Sequence, residues 1–524
     1  MTTMMRSLLT IISIFYSISC LGGGLTVITY HDISSTAGDD PYAVSRSDFV
    51  AQMDYLAEHG FQPISLAYLD KVKQGEITLP AKPVLLTFDD GLKSYYEFAV
   101  PLLKIYNYPS IASIVTGWLD GNKLPDEYQG RLMSWKQLKE VSHSGLVEVM
   151  SHTNNLHHGI QSNPQGNKTA ASITRQYSPE TRSYESEAMF EKRISVDLSM
   201  SIDRIKDQLG TAPKAIAWPY GFYNNVVSRI AGNLDLEYQF TLEEGPTPFD
   251  QLPLINRIII TADTTIKDFD NEVKYKTAFK TERRFVDIQL DAFVDQNRVQ
   301  QERLLSSLLD GLESMEINMV MVSPFTRDQS RAFFVNDEYE LASDILNRTL
   351  HLIRTKLPVP FIYLKLPDDL ELDDADAFYT QLARLNWFNG IVFTDIPEQN
   401  DFVQIKENIK RYHPSMKYGS LSPINNNRND NFVANDFVVY KVDPESFDDS
   451  APAINTEQYG NFDKTFFLLE QKNKNTSALV RNTMVKLRNT GVKHYGYGPF
   501  NYYSENTDDI ILGKELSTRY GSGG

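Results

Sequence analysis

Asp89 and Asp90 stand side by side at the end of the apolar run PVLLTFDDG. Carboxylates that close repel unless water or a cation lies between them. Other run ends carry comparable chemistry: Tyr30-His31-Asp32 after LTVIT, Ser151-His152-Thr153 with Leu156-His157-His158 beyond it, and Trp218-Pro219-Tyr220-Gly221. Two imidazoles and one carboxylate are a usual ligand set for a divalent catalytic cation that keeps positions open for water. Asp90, His152 and His157 can supply that set, and it accepts zinc, nickel, cobalt or iron(II) alike. Asp89 is then left to take a proton from a water that the cation activates. Singly, each feature has a plain alternative: DDG is a common turn, and a histidine at a strand end is usually a hydrogen-bonded surface residue. Convergence on one barrel mouth would give them weight together.

The elements that must position these residues alternate. In the first half, LTVITYHDI, PVLLTFDDG, IASIVTG, LVEVMSHT, KAIAWPYG, YQFTLEE and INRIII read as strands. Amphipathic stretches separate them, as in SRSDFVAQMDYLAEHG, where Phe49, Met53, Leu56 and Ala57 recur at helical spacing. Ser47 is expected as its N-cap and Gly60 as its stop. Apolar strands alternating with helices mean a parallel sheet covered on both faces. Seven of them predict a closed or nearly closed (β/α)7-like barrel, with reactive side chains where the strands end. Residues 160–187, rich in Ser, Asn and Pro, read as a long surface loop that could lie over the site.

A polar stretch over 263–283 marks the domain boundary, so the expected units are 21–265 and 283–524. The second half offers eight further strands: FVDIQLD, MVMVSPF, FIYLKLP, GIVFTDI, KYGSLSP, DFVVYKV, TFFLLEQ and VKHYGYGPF. Their number and order predict a (β/α)8-like barrel. The halves share no repeat, so the α/β chain is two barrel domains and not a duplication.

Composition is globular, with 41% hydrophobic and 23% charged residues among 524. A net charge of −17 argues against nucleic acid and allows a neutral or cationic partner. Residues 1–20 carry Arg6 and then an apolar run from Leu8 to Ile18, the size of a signal-peptide core and short for a membrane span. Cys20, the only cysteine, follows Ser19, and this resembles a bacterial lipoprotein signal, although Ser17 stands where Leu is usual. Ordinary cleavage after a small residue is the alternative. Either reading predicts an exported, periplasmic chain without internal disulfides, and lipidation of Cys20 would anchor it to the outer membrane.

TFDDG followed by the histidine pair resembles the polysaccharide deacetylases of carbohydrate esterase family four. YHDI, SHTNNLHH and AWPYG narrow the resemblance to the two-domain poly-β-1,6-N-acetyl-D-glucosamine N-deacetylases of Gram-negative biofilm systems. FVDIQLD and GVKHYGYGPFNYY resemble the start and end of their glycoside-hydrolase-like, polymer-binding barrel. The resemblance implies that Asp89 is the base, that Asp90, His152 and His157 hold a divalent metal cation, and that His31 is the general acid. It places Tyr220 at the oxyanion. Ala217 stands where the family has an arginine, and Arg257 is the candidate to replace it beside Asp89.

In the second domain the resemblance points to Asp395, followed by Ile396 in place of the family's second aspartate. Asp443 and Glu470 lie at other strand ends. Tyr495, Tyr497, Tyr502 and Tyr503 suit stacking on sugars, or equally a barrel core. Polymer binding and polymer cleavage both stay open. The implied partners are the polymer, an outer-membrane export porin of the same system and the membrane through the lipid anchor. Two rivals remain: a deacetylase of another N-acetylated polysaccharide, such as peptidoglycan or chitin, and a non-catalytic export lipoprotein. The intact base, acid and ligand set argues against the second.

Overall fold

A run of six buried residues, Pro83–Phe88, forms the spine of the first sheet in a computed structural model. The structure describes residues 24–35, 40–243, 245–249, 252–275, 282–357, 361–367, 370–394, 399–423, 436–445, 462–472, 477–502, 512–513 and 515–517. Cys20, Asp395, Ile396 and Tyr503 lie outside them. None of the described helices is long and apolar enough to cross a membrane.

The first sheet is built from β1 (Thr26–Tyr30), β2 (Pro83–Phe88), β3 (Ser110–Ile114), β4 (Val147–Ser151), β5 (Ala215–Ala217), β6 (Tyr238–Phe240), β7 (Leu254–Ile255) and β8 (Ile258–Ile259). All pair in parallel in the order β7-β6-β5-β4-β3-β2-β1-β8, with Gln62–Pro63 added beside β2. The sheet is an open half-barrel. INRIII, expected as one strand, is two: β7 joins one edge and β8 the other. Asn256 and Arg257 therefore cross the seam that hydrogen bonds leave open.

Helices cover this sheet. The helix Arg46–Glu58 buries Phe49, Met53 and Leu56 completely, each worth about 1.5–3 kcal/mol over leaving it in water. Its N-cap is Ser45 and not Ser47, because the Ser45 hydroxyl accepts from the Asp48 backbone N–H at 3.0 Å. Gly60, at φ 71°, follows its end. The helix Ile266–Val273 packs back on it, with Phe269 edge-on to Tyr55 at 5.7 Å.

The second sheet is a closed parallel barrel of β9 (Arg283–Ile288), β10 (Met319–Val322), β11 (Phe361–Leu366), β12 (Gly390–Phe393), β13 (Lys417–Pro423), β14 (Phe437–Val442), β15 (Thr465–Glu470) and β16 (His494–Gly498). Each pairs with the next, and β16 pairs with β9. Phe285, Met319, Met321, Tyr363, Val392, Phe437, Val439, Phe466 and Leu468 fill the interior, as in a packed eight-stranded core.

Residues 160–187 differ from expectation. They form two short antiparallel pairs, Gly159–Gln161 with Lys168–Ala170 and Tyr177–Ser178 with Ser183–Tyr184, and bury Ala171, Ser172 and Arg175. The segment docks on the second domain: Asn163 donates to Asn347 at 2.6 Å, Gln165 to the Asp344 carbonyl at 2.6 Å, and Arg348 to Asn167 at 2.9 Å. Its polar composition serves this interface.

Candidate active site

Strand β2 ends by passing the Asp89 N–H to the Tyr30 carbonyl at 2.9 Å, which extends the ladder one residue beyond the strand. The chain then reverses through Asp90 and Gly91 at φ 70° and 74°. A non-glycine residue there carries backbone strain. Gly91 has little room for a side chain, since a Cβ would meet Leu119 and Ile114 at 3.2 and 3.3 Å. Both aspartates are buried, Asp90 to 1% exposure.

His152 follows β4. Its Nδ1 donates to the Ala217 carbonyl at 2.7 Å, because a carbonyl can only accept, and this leaves the Nε2 lone pair free. Nε2 of His152 lies 3.6 Å from Asp90 Oδ1, and Nε2 of His157 lies 3.5 Å from the same oxygen. Asp90 Oδ2 accepts from the Tyr128 hydroxyl at 2.8 Å. Asp90 Oδ1 is buried without a hydrogen-bond partner among the described residues. One ligand atom from each of the three residues falls within 4.8 Å of the others. Burial pushes His152 down to about 4 against the pull of Asp89, so it is a neutral donor at pH 7. An orphaned carboxylate oxygen facing the His152 lone pair and the His157 Nε2 fits a divalent cation, whose charge would satisfy that oxygen.

The loop carrying His157 is held from outside. Asp197, on the helix Glu187–Leu209, accepts the backbone N–H groups of Asn154 and Asn155 at 2.9 and 2.8 Å. Burial raises it to about 6 despite those bonds. Gly117 packs on the same loop, where a Cβ would stand 2.5 Å from the Asn154 carbonyl oxygen. The His157 ring sits between Trp118 at 4.8 Å and Tyr220 at 4.6 Å. Tyr220 occupies a left-handed turn at φ 57°.

Asp89 is clamped by Arg257, whose Nη1 reaches both carboxylate oxygens at 2.9 and 2.8 Å. Burial alone would favour the neutral acid. Arg257, helped by His152 and His31, outweighs it and holds Asp89 at about 2. The seam explains the reach, since Arg257 leaves the sheet between its two edges. His31 follows β1, with its ring 4.9 Å from Tyr42 and its buried Nδ1 without a hydrogen-bond partner among the described residues. Its neighbour Asp32 is engaged instead by Arg131 at 2.8 Å and Ser94 at 2.5 Å.

Sequence reasoning missed Tyr128, Trp118 and Asp197. Tyr128 and Trp118 sit in no motif, and Asp197 is a lone acid on the buried face of a long helix, in register with Phe190, Ile194 and Leu198; only the fold brings them to the loop. In the second domain, Asp443 is paired with Lys472 at 2.6 Å and Glu470 with Lys441 at 2.6 Å. Asp287, at the end of β9, is buried against Lys365 at 2.5 Å. Tyr495, Tyr497 and Tyr502 are not a sugar platform: they are 1%, 0% and 6% exposed and belong to the core between barrel and helices. The alternating glycines decide this. A Cβ at Gly496 would stand 2.0 Å from the Phe285 carbonyl oxygen, so the tyrosines take the opposite face.

Residues 76–239 match the family described as Polysaccharide deacetylase. Among curated relatives, a poly-β-1,6-N-acetyl-D-glucosamine N-deacetylase of Escherichia coli is 30% identical over 360 residues, 66% of this chain and 53% of that protein. The chain thus spans about half the length of that relative. A Staphylococcus aureus protein of the same description is 30% identical over 224 residues, 42% of this chain and 69% of that one. Among solved structures, a de-N-acetylase from Aggregatibacter actinomycetemcomitans is 31% identical with a TM-score of 0.44, covering 47% of this chain and 99% of that one. The chain belongs to the polysaccharide deacetylase family.

Proposed function

We propose that the chain is a metal-dependent N-deacetylase of poly-β-1,6-N-acetyl-D-glucosamine. The observation that carries this reading is Asp90, His152 and His157 converging within 4.8 Å beside an Arg257-clamped Asp89. The relatives' described substrate supports the choice of polymer. A divalent cation held by Asp90, His152 and His157 would polarise the acetamide carbonyl and acidify water. Asp89, ionised throughout the neutral range, takes a proton from the water whose oxygen attacks the acetyl carbon. A backbone N–H near Tyr220 would stabilise the oxyanion. His31 gives a proton to the nitrogen as the C–N bond breaks. The products are acetate and a free glucosamine unit in the polymer. Arg257 keeps Asp89 aligned, the role the family gives to an arginine where this chain has Ala217.

The same reading places the chain in the periplasm, anchored to the outer membrane through a lipid on Cys20, beside an export porin that passes polymer in a biofilm system. The second barrel binds polymer. Lysine pairing of Asp443 and Glu470 supports binding over cleavage. Acetate release from poly-β-1,6-N-acetyl-D-glucosamine tests the proposal, measured with chelator and with zinc, nickel, cobalt or iron(II) restored. Release that needs metal and exceeds release from chitin oligosaccharides at least tenfold supports it. Equal release from chitin, or release indifferent to chelator, overturns it.

A further inference from the structure

A cavity of about 1170 Å³ lies between the two domains, somewhat above the roughly 300–1,000 Å³ of small-molecule sites. Tyr220, whose ring flanks His157, forms part of its wall, so the cavity adjoins the candidate active site. From the second domain it takes the start of β11, the start of β13 and residues of the helices Leu346–Lys356 and Ala375–Leu385.

Its charge opposes that of the molecule. In a chain of net charge −17, the ionisable groups lining the cavity include Arg175, Arg354, Arg384, Lys410 and Lys417 against one carboxyl, Glu243. Burial raises the Glu243 pKa. His351 and His413, also in the wall, are held neutral at pH 7, since burial pushes both down to about 4.

The guanidinium groups are incompletely partnered. Nη1 of Arg354, Nε of Arg384, and Nε and Nη1 of Arg175 are buried without hydrogen-bond partners among the described residues. Arg175 is 2% exposed and meets Glu187 through its remaining nitrogen. Aromatic faces offset part of the cost: Arg354 lies 4.7 Å over Phe222 and 4.5 Å over Trp387. Rings do not fill N–H donors, and leaving donors of a charged group unfilled is expensive. A cationic, deacetylated glucosamine strand would be repelled here. A planar anion matches the guanidinium fork.

We propose that this interdomain cavity binds a carboxylate, gripped by Arg354 and Arg384, with Trp387 and Phe222 flanking the group that carries it. The carboxylate has two possible sources. One is acetate released at the neighbouring site, which rests on the deacetylase reading; the other is a carboxylate borne on a saccharide, which does not.

Isothermal titration of the full chain separates them, with sodium acetate, sodium glucuronate and, as the uncharged isostere, glucose. Titrations run before and after chelator, because acetate bound at a metal would leave with the metal. We expect carboxylate binding to survive the chelator and to weaken at least tenfold in Arg354→Gln and in Arg384→Gln, while glucose gives no comparable signal. Arg384→Lys keeps the charge without the fork and should lose several-fold; thermal melts verify that the variants fold. Acetate binding alone assigns the released product, and preferential glucuronate binding assigns a saccharide carboxylate. Absence of carboxylate binding, binding unchanged in folded variants, or binding that vanishes with the metal overturns the proposal. Failure of acetate release from polymer would leave the glucuronate result standing, so the two readings fail separately.

Discussion

Both domains deliver carboxylates to the ends of parallel strands, and they treat them differently. In the second barrel each such acid meets a lysine: Asp287 with Lys365, Asp443 with Lys472, Glu470 with Lys441. In the first domain Asp90 keeps one buried oxygen without a partner, aimed at two imidazoles, while Asp89 is charged by an arginine from across the seam. Strand-end position thus supplies acids in both barrels. Among the described residues Asp287 also keeps one buried oxygen without a hydrogen-bond partner; what sets the first domain apart is that only there does such a carboxylate converge with two imidazoles.

Four experiments can break or sharpen this contrast. The largest effect is expected for His152→Ala and His157→Ala, which should lose bound metal and at least a thousandfold in acetate release; elemental analysis alongside a coupled acetate assay reads both. Next, Arg257→Gln should cost about a hundredfold at pH 7. Without the guanidinium the Asp89 pKa rises from about 2, so activity should fall as pH drops through the new value, where the parent shows no such limb near neutrality. A pH–rate profile of the variant with an unmoved acid limb would remove Arg257 from this role.

Asp197→Asn should weaken metal affinity about tenfold, since an amide oxygen cannot hold both backbone N–H groups as a carboxylate does. The same residue has a stability signature. Its pKa is raised from 3.8 to about 6 in the fold, so the folded state binds the extra proton. Stability from this group is full below about pH 4 and is lost as pH rises through about 6, on the order of 3 kcal/mol. Urea midpoints between pH 4 and 7 should lose that slope in Asp197→Asn. Smallest of all, Asp443→Asn should change acetate release by less than about twofold and stability by about 0.5 kcal/mol or less, as expected for a partly exposed ion pair. A large loss of acetate release would show that the two domains share their acids after all.

The strands of the second barrel could be read from sequence because each is a short apolar run bounded by turn residues. Asp90, His152 and His157 were readable because their strands end in them. Other features depend on three-dimensional closure. INRIII reads as one strand because nothing local tells which sheet edge each half will join. Ser45 and Ser47 are both good caps, and only the backbone path selects Ser45. Residues 160–187 look like a solvated loop because an interface made of amide hydrogen bonds has the composition of a surface. Tyr495 and Tyr497 leave two readings open in the sequence, since an aromatic core and a sugar platform have the same residues, and only the fold selects the core. Tyr128 and Asp197 act through contacts 38 and at least 42 residues away in sequence, which no local pattern encodes.

The central claim is that two adjacent aspartates do different work. Metal content and acetate release, measured together on Asp89→Asn and Asp90→Asn, test it most directly. Asp89→Asn should keep a full equivalent of metal and lose nearly all acetate release, since an amide cannot take the proton. Asp90→Asn should lose metal affinity itself, and restoring metal at high concentration should recover part of the rate. Equal metal content in both variants, or an active Asp89→Asn, would contradict the division of labour.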